Sequence, residues 1–369
     1  MSKADYNFAK HCEELLMYGY SDETFQVRPR WTDDNSPAHT KKLIHVVDQY
    51  DLQHEYPLMT LRRIAVKSAM DEILWIYQKK SNNVNDLKSH IWDEWADESG
   101  SIGKAYGYQM AQVHHYPQGD FTQIDKVIWD LKNDPGSRSI MTNLYNHADL
   151  SEMHLRPCAY SMTYSVTEKR DGKRYLNAIL NQRSQDVLTA NNWNSFQYAI
   201  LLTMIAQVCD LIPGQLTHVI SDYHVYDRHI PFVVDMVREY KLGVIHQIIE
   251  LLDSRRRGVG HKFLSENDAE EIERLRRAHD YYFEHFDDAA LSNILDDFTI
   301  THLTYLAKKV INFVDPDLHV LDLMYNSPYE APEVSLNPEI RDFYQFTTDD
   351  LIVEDYIYLP FNHKIPVAV

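Results

Sequence analysis

A chain of 369 residues, 44% hydrophobic and 12% aromatic with 14 prolines and 11 glycines, can form one large core and is neither disordered nor fibrous in composition. Its 55 acidic against 36 basic residues give a formal charge of -19, which sets the average surface against nucleic acid and anionic membrane while allowing a local basic pocket. No apolar run reaches membrane-spanning length, Met1 to Phe8 lacks the apolar core of a signal peptide, and Cys12, Cys158 and Cys209 offer neither a disulfide framework nor a paired metal spacing, so a cytoplasmic protein with free thiols is expected.

In chain order, residues 7 to 19 read as a short helix, and Ser21 to Thr40, with Pro29, Pro37 and Asp33-Asp34-Asn35, as irregular. Ile64, Ala69, Ile73, Ile76 and Tyr77 approximate a helical period between Leu61 and Gln78, which sets Glu72 beside apolar neighbours. Residues 122 to 132 form a helix that breaks at Asp134-Pro135-Gly136, and Ile140 to Tyr145 suits a short strand. Alternation from Ala159 to Val166, the turn at Asp171-Gly172 and the run Tyr175 to Leu180 predict a β-hairpin with Cys158 at the start of its first strand. The nearly all-apolar run Phe196 to Cys209 is a buried helix, and Thr217 to Ile220 is a strand that enters Asp222-Tyr223-His224-Val225-Tyr226. Residues 236 to 315 differ in texture, with apolar positions at helical spacing among many charges, and read as an inserted helical subdomain. From Pro332 to Tyr358, alternation and turn signals predict strands returning to the sheet.

A lone cysteine is first of all a core filler, so Cys158 becomes a candidate nucleophile only through its surroundings. An antiparallel return of the hairpin brings Arg183 towards it. Gln182, Arg183 and Ser184 together would make an anion clamp, or equally a surface cluster, and Arg28 and Arg138 are further cations. Asn192 or Asn194 caps the buried helix, or reads a nucleobase with an amide that both donates and accepts. His224 and Tyr226 share one strand face and suit a sugar hydroxyl or an ordered water. A metal site is not expected, since His224 and His229 lack a third ligand at a convincing spacing.

Six motifs in order, Ile91-Trp92-Asp93-Glu94-Trp95-Ala96-Asp97, Gly103-Lys104-Ala105-Tyr106-Gly107, Arg156-Pro157-Cys158, Gln182-Arg183-Ser184-Gln185-Asp186, Asp222-Tyr223-His224-Val225-Tyr226 and Pro366-Val367-Ala368-Val369, closely resemble the thymidylate synthase family over nearly the whole chain except residues 236 to 315. The resemblance implies an α/β (α+β) fold: a mixed or antiparallel sheet flanked by helices, one catalytic domain over residues 1 to 369 carrying the helical insertion. It implies reductive methylation of dUMP to dTMP with 5,10-methylenetetrahydrofolate as carbon and hydride donor; a dUMP hydroxymethylase, ending with water instead of hydride, is the alternative. Cys158 then matches the nucleophile that attacks C6 of uracil, Glu72 the carboxylate that organises water and protons, Tyr106 the tyrosine linked to proton removal from C5, and Asn194 the reader of O4 and N3. Gln182 belongs with the substrate residues, Asp186 looks like the pterin-binding carboxylate, and His224 and Tyr226 would meet the deoxyribose 3′ hydroxyl. Ile91, Trp92 and Trp95 suit a wall against flat folate, and Val369 ends a tail that closes over it. Arg28, Arg183 and Ser184 resemble phosphate ligands from one subunit and Arg138 the arginine from the other, which implies a homodimer with shared phosphate sites.

Three departures from the family pattern stand out. Ser139 replaces a second arginine beside Arg138, Ala159 replaces a frequent histidine after the nucleophile, and Ala190-Asn191-Asn192-Trp193-Asn194 replaces Gly-x-Pro-Phe-Asn.

Overall fold

A computed structural model describes residues 2–241, 243, 270, 273, 277 and 331–368. The chain opens with helix α1 (Lys3–Tyr18), which starts earlier than the apolar pattern alone suggested. Ser2 and Asp5 form a reciprocal capping box there, and a satisfied helix start is worth about 1 kcal/mol. Strands β1 (Tyr20–Ser21) and β2 (Thr40–Asp51) follow, then helix α2 (Val66–Tyr77), helix α3 (Gly107–Ala111), the hairpin β3 (His114–Tyr116) and β4 (Gly119–Phe121), and helix α4 (Gln123–Asn133). Strands β5 (Met141–Asn143), β6 (Ala159–Glu168), β7 (Arg174–Gln182) and β8 (Gln185–Asp186) lead to helix α5 (Asn191–Val208) and the long strand β9 (Ile212–Tyr226).

The main sheet runs β1-β2-β9-β7-β6-β5, with β8 paired to β9. All its pairings are antiparallel except β7 with β9 and β8 with β9, which are parallel because α5 carries the chain from one strand to the next. Inward residues Met162, Leu180, Leu216 and Ile220 pack beneath α5, whose residues Ala199 to Ala206 are buried on nearly every side. That uniform burial explains why the helix is apolar all round. On the other face, register places Thr217, Ile179, Thr163 and Met141 in one row across four strands, and Ile179 and Met141 are exposed together with Val47.

The long strand β2 has no counterpart in the sequence reading, since its alternation is broken where His45 adopts φ 65°. The returning segment also differs from expectation. β10 (Glu333–Leu336) and β11 (Leu351–Glu354) pair with each other in a separate two-stranded sheet and do not rejoin the main one. Of the stretch 236 to 315, a helix over residues 230–241 packs Val233, Met236, Val237 and Tyr240 into the core. Apart from that helix and residues 243, 270, 273 and 277, the expected inserted subdomain lies outside the described residues.

Candidate active site

Cys158 sits just before β6, next to a register shift between Ala159 and Ser161 in the pairing of β6 with β7. The Arg183 backbone N–H donates to the Cys158 carbonyl at 2.9 Å, which closes the hairpin and turns the arginine side chain back over the cysteine. Arg183 Nε donates to the Pro157 carbonyl at 2.9 Å and Nη2 to that of Arg156 at 2.7 Å, leaving Nη2 3.8 Å from Cys158 Sγ. The Cys158 N–H donates to Tyr106 Oη at 3.0 Å. Burial pushes the thiol up from its ordinary range, and the positive charges of Arg183 and Arg28 and the Tyr106 hydroxyl oppose that push.

Tyr106 is held by its neighbour. A Cβ on Gly107 would lie 1.9 Å from the Ser81 carbonyl oxygen, so only glycine fits, and Tyr106 itself adopts φ 47°. A bulky side chain in that region costs roughly 1–3 kcal/mol, a cost found where the surroundings force a functional geometry. The Tyr106 ring packs 4.9 Å from that of Trp92, which meets Trp75 and Trp95 in turn. Ile91 is exposed, Trp92 is buried and Trp95 half-buried, so the apolar surface available to a flat ligand comes from Ile91 and Trp95 with Trp92 as its backing.

Glu72, on α2, is buried with its carboxylate accepting from Trp193 Nε1 at 2.8 Å. Burial raises its proton affinity more than Trp193, Gln197 and Trp92 lower it, Asp71 adds to the rise, and the pKa is pushed up to about 7. A carboxyl group poised there can both give and take a proton near neutrality.

Asn194 lies in the first turns of α5 and its amide is oriented by neighbours. Gln182 Nε2 donates to Asn194 Oδ1 at 3.0 Å, and Asn194 Nδ2 donates to Gln197 Oε1 at 3.2 Å. Gln182 is fixed in turn by His218 Nε2, which donates to its Oε1 at 2.9 Å. Burial lowers the His218 pKa to about 4, so the ring is neutral at pH 7 with its proton on Nε2 and Nδ1 facing Ser195 Oγ at 3.1 Å. The three residues of the expected anion clamp do not all face one way. Strand alternation turns Gln182 into the interior, where its amide is used by Ser184 O, Asn194 and His218, while Arg183 and Ser184 remain half-buried at the surface.

At the end of β9, His224 and Tyr226 do share a face, their rings 5.3 Å apart, and His224 Nδ1 pairs with Asp222 at 2.7 Å. Asp186 accepts from the Leu188 N–H and Thr189 Oγ1, and its Oδ2 lies 3.6 Å from His229 Nδ1. Burial would raise the Asp186 pKa, yet His229, His224 and Thr189 together hold it below the ordinary carboxylate range. His229 Nε2 donates to the Pro366 carbonyl at 2.8 Å, and the Thr32 N–H donates to that of Val367 at 3.1 Å, so the terminal segment is seated beside Asp186. Val369 lies outside the described residues.

Arg28 and Arg138 are exposed and, among the described residues, neither forms an ion pair. Arg28 is close enough to act on Cys158 and Tyr226, whereas Arg138 lies in the loop before β5 beside the uncovered sheet face. Three contributors escaped the sequence reading: Trp193, Gln197 and His218. The signal for Trp193 was the tryptophan in the Ala190 to Asn194 departure; Gln197 and His218 are polar residues inside apolar runs, visible as candidates only by that contrast.

A family model described as thymidylate synthase matches residues 7–249. The thymidylate synthase of Bacillus mojavensis is 40% identical over 244 residues, 65% of this chain and 85% of that protein. The thymidylate synthase of Clostridium beijerinckii is 30% identical over 359 residues, 96% of this chain and 95% of that one. Among solved structures, the thermostable thymidylate synthase A from Bacillus subtilis superposes with a TM-score of 0.68 at 30% identity, covering 99% of both chains.

Proposed function

The chain belongs to the thymidylate synthase family, and on that premise we propose that Cys158, Glu72, Tyr106 and Asn194 carry its chemistry. The reaction is the conversion of dUMP to dTMP, with 5,10-methylenetetrahydrofolate supplying the one-carbon unit and the hydride and leaving as dihydrofolate. The observation that carries the assignment of residues is the convergence on Cys158 of two other segments, the Arg183 guanidinium 3.8 Å from its thiol and the Tyr106 hydroxyl 3.0 Å from its backbone nitrogen.

Cys158 Sγ bonds to C6 of the uracil ring, and the electron pair displaced from the C5–C6 double bond makes C5 nucleophilic. Arg183 favours the thiolate that starts this step. Asn194, with its carbonyl already accepting from Gln182, presents its amide donor towards O4, and that choice of edge favours uracil over cytosine. C5 bonds to the one-carbon unit of the folate, Glu72, poised near neutrality, exchanges protons with the base, and the neutral Tyr106 hydroxyl orders the water that takes the C5 proton before the thiolate leaves. His224 and Tyr226 meet the 3′ hydroxyl, and Arg28, Arg183 and Ser184 the phosphate.

Ile91, Trp92 and Trp95 offer an apolar wall that fits a flat pterin, and Asp186 a carboxylate held ionised beside it. The seated terminal segment, with Val369 at its end, excludes water from that space. The chain forms a homodimer through the uncovered face of the main sheet, where Ile44, Val47, Ile179 and Met141 are exposed, and Arg138 reaches the phosphate of the other subunit. Among the described residues no helix is long and apolar enough to cross a membrane; a cytoplasmic setting fits the three free cysteines.

The test is an anaerobic reaction with dUMP and 5,10-methylenetetrahydrofolate, both products identified by mass. dTMP with dihydrofolate is expected; hydroxymethyl-dUMP with tetrahydrofolate would replace the reading with a hydroxymethylase.

A further inference from the structure

We propose that Trp193 is a positioning residue for Glu72: its indole N–H anchors the carboxylate and thereby sets the pH at which Glu72 gives up its proton. The inference deepens the reading of Glu72 as the proton-handling carboxylate. An indole nitrogen only donates, so the 2.8 Å contact fixes Glu72 Oε2 as an acceptor in either protonation state. The donor is set by the backbone: Trp193 lies in the first turn of α5, and the following residue closes that turn with its N–H on the Ala190 carbonyl at 2.9 Å.

The same turn carries Asn194, and one turn further on Gln197 Nε2 donates to the Ala69 carbonyl of α2 at 3.1 Å. The base-reading amide and the anchor of Glu72 therefore move as one unit against α2. Groups acting on the carboxylate from the packed elements are Asp71 on α2 itself, Trp92 in the connection from α2 to α3, Tyr106 at the start of α3, and Trp193, Gln197 and Tyr198 on α5. Burial is the dominant influence, and Trp193 leads the donors that offset it. Loss of that donor leaves a buried carboxylate less able to bear charge, and the proton is retained to higher pH.

The experiment compares wild type with Trp193→Phe, which keeps an aromatic ring and removes the N–H; 3-benzothienylalanine at position 193 makes the same deletion with the indole shape kept, should the phenylalanine variant fold poorly. The infrared carbonyl band of the protonated carboxyl, identified by its loss in Glu72→Gln, is titrated in each. We expect its midpoint, about 7 in wild type, to rise by about one unit, with the Glu72 limb of the kcat profile moving equally and the dUMP KM within about twofold. An unmoved midpoint in a variant that melts like wild type overturns the inference. A midpoint that rises while the kcat profile stays in place supports the anchoring by Trp193 and refutes the catalytic reading of Glu72.

Discussion

At the proposed base end of the site, Cys158, Glu72 and Asn194 are held by Arg183, Trp193 and Gln182, and Tyr106 by the close seating of Gly107 on Ser81. At the proposed phosphate end, Arg28 and Arg138 stand in exposed segments, free of ion pairs among the described residues, and Ser139 stands where the family pattern has a further arginine. The contrast follows from what each end must do. Groups that handle protons and a covalent bond need fixed geometry and a low-dielectric setting, which burial and pairing provide. Groups that bind a dianion gain most when they are left unpaired until the dianion arrives, and when a second copy supplies part of the charge.

The largest effect is expected at the fixed end. Cys158→Ser should lower turnover by roughly 10⁴-fold or more while the melting temperature stays at the wild-type value, because the side chain contributes nucleophilicity and little packing. Retained turnover would remove the covalent step from the account.

Glu72→Gln should reduce kcat by at least ~100-fold, and it should also change the pH dependence of stability. The folded-state pKa of about 7 exceeds the ordinary 4.5, so between those values the native state binds the extra proton. Stability from this group is then greatest below pH 4.5 and declines as pH rises to about 7, by about 3 kcal/mol in order of magnitude. Glutamine has no proton to lose. The variant should melt above wild type at pH 8 and level with it near pH 4; equal melting at both would mean that Glu72 is not a strained buried acid.

At the phosphate end, adding one contact has a smaller effect. Ser139→Arg should tighten dUMP binding by about tenfold, the value of one added charge-assisted contact, as measured by calorimetry. Unchanged or weaker binding would show that Ser139 does not face the phosphate.

Much of this contrast was legible in the residues. The hairpin that brings Arg183 to Cys158 followed from alternation and one turn, and Arg28 and Arg138 were plainly cations in irregular segments. The buried supports were harder to see. His218 and Gln182 lie on parallel neighbours β9 and β7, joined across α5, and parallel register has no local sequence signal. Trp193 reads as one more apolar residue ahead of an apolar helix, and its use as a donor depends on how α5 packs against α2. The strand β2 was hidden by the break at His45, and the pairing of β10 with β11 by their separation of fifteen residues or so.

The proposed division between a fixed base end and a phosphate end shared between subunits is tested most directly by mixing subunits. Cys158→Ser and Arg138→Ala proteins, each nearly inactive alone, are unfolded together, refolded and assayed for dTMP formation. A mixed dimer places intact Cys158 and intact Arg138 at one of its two sites, so the mixture should regain about a quarter of wild-type activity. Activity equal to the average of the two parents would contradict the account.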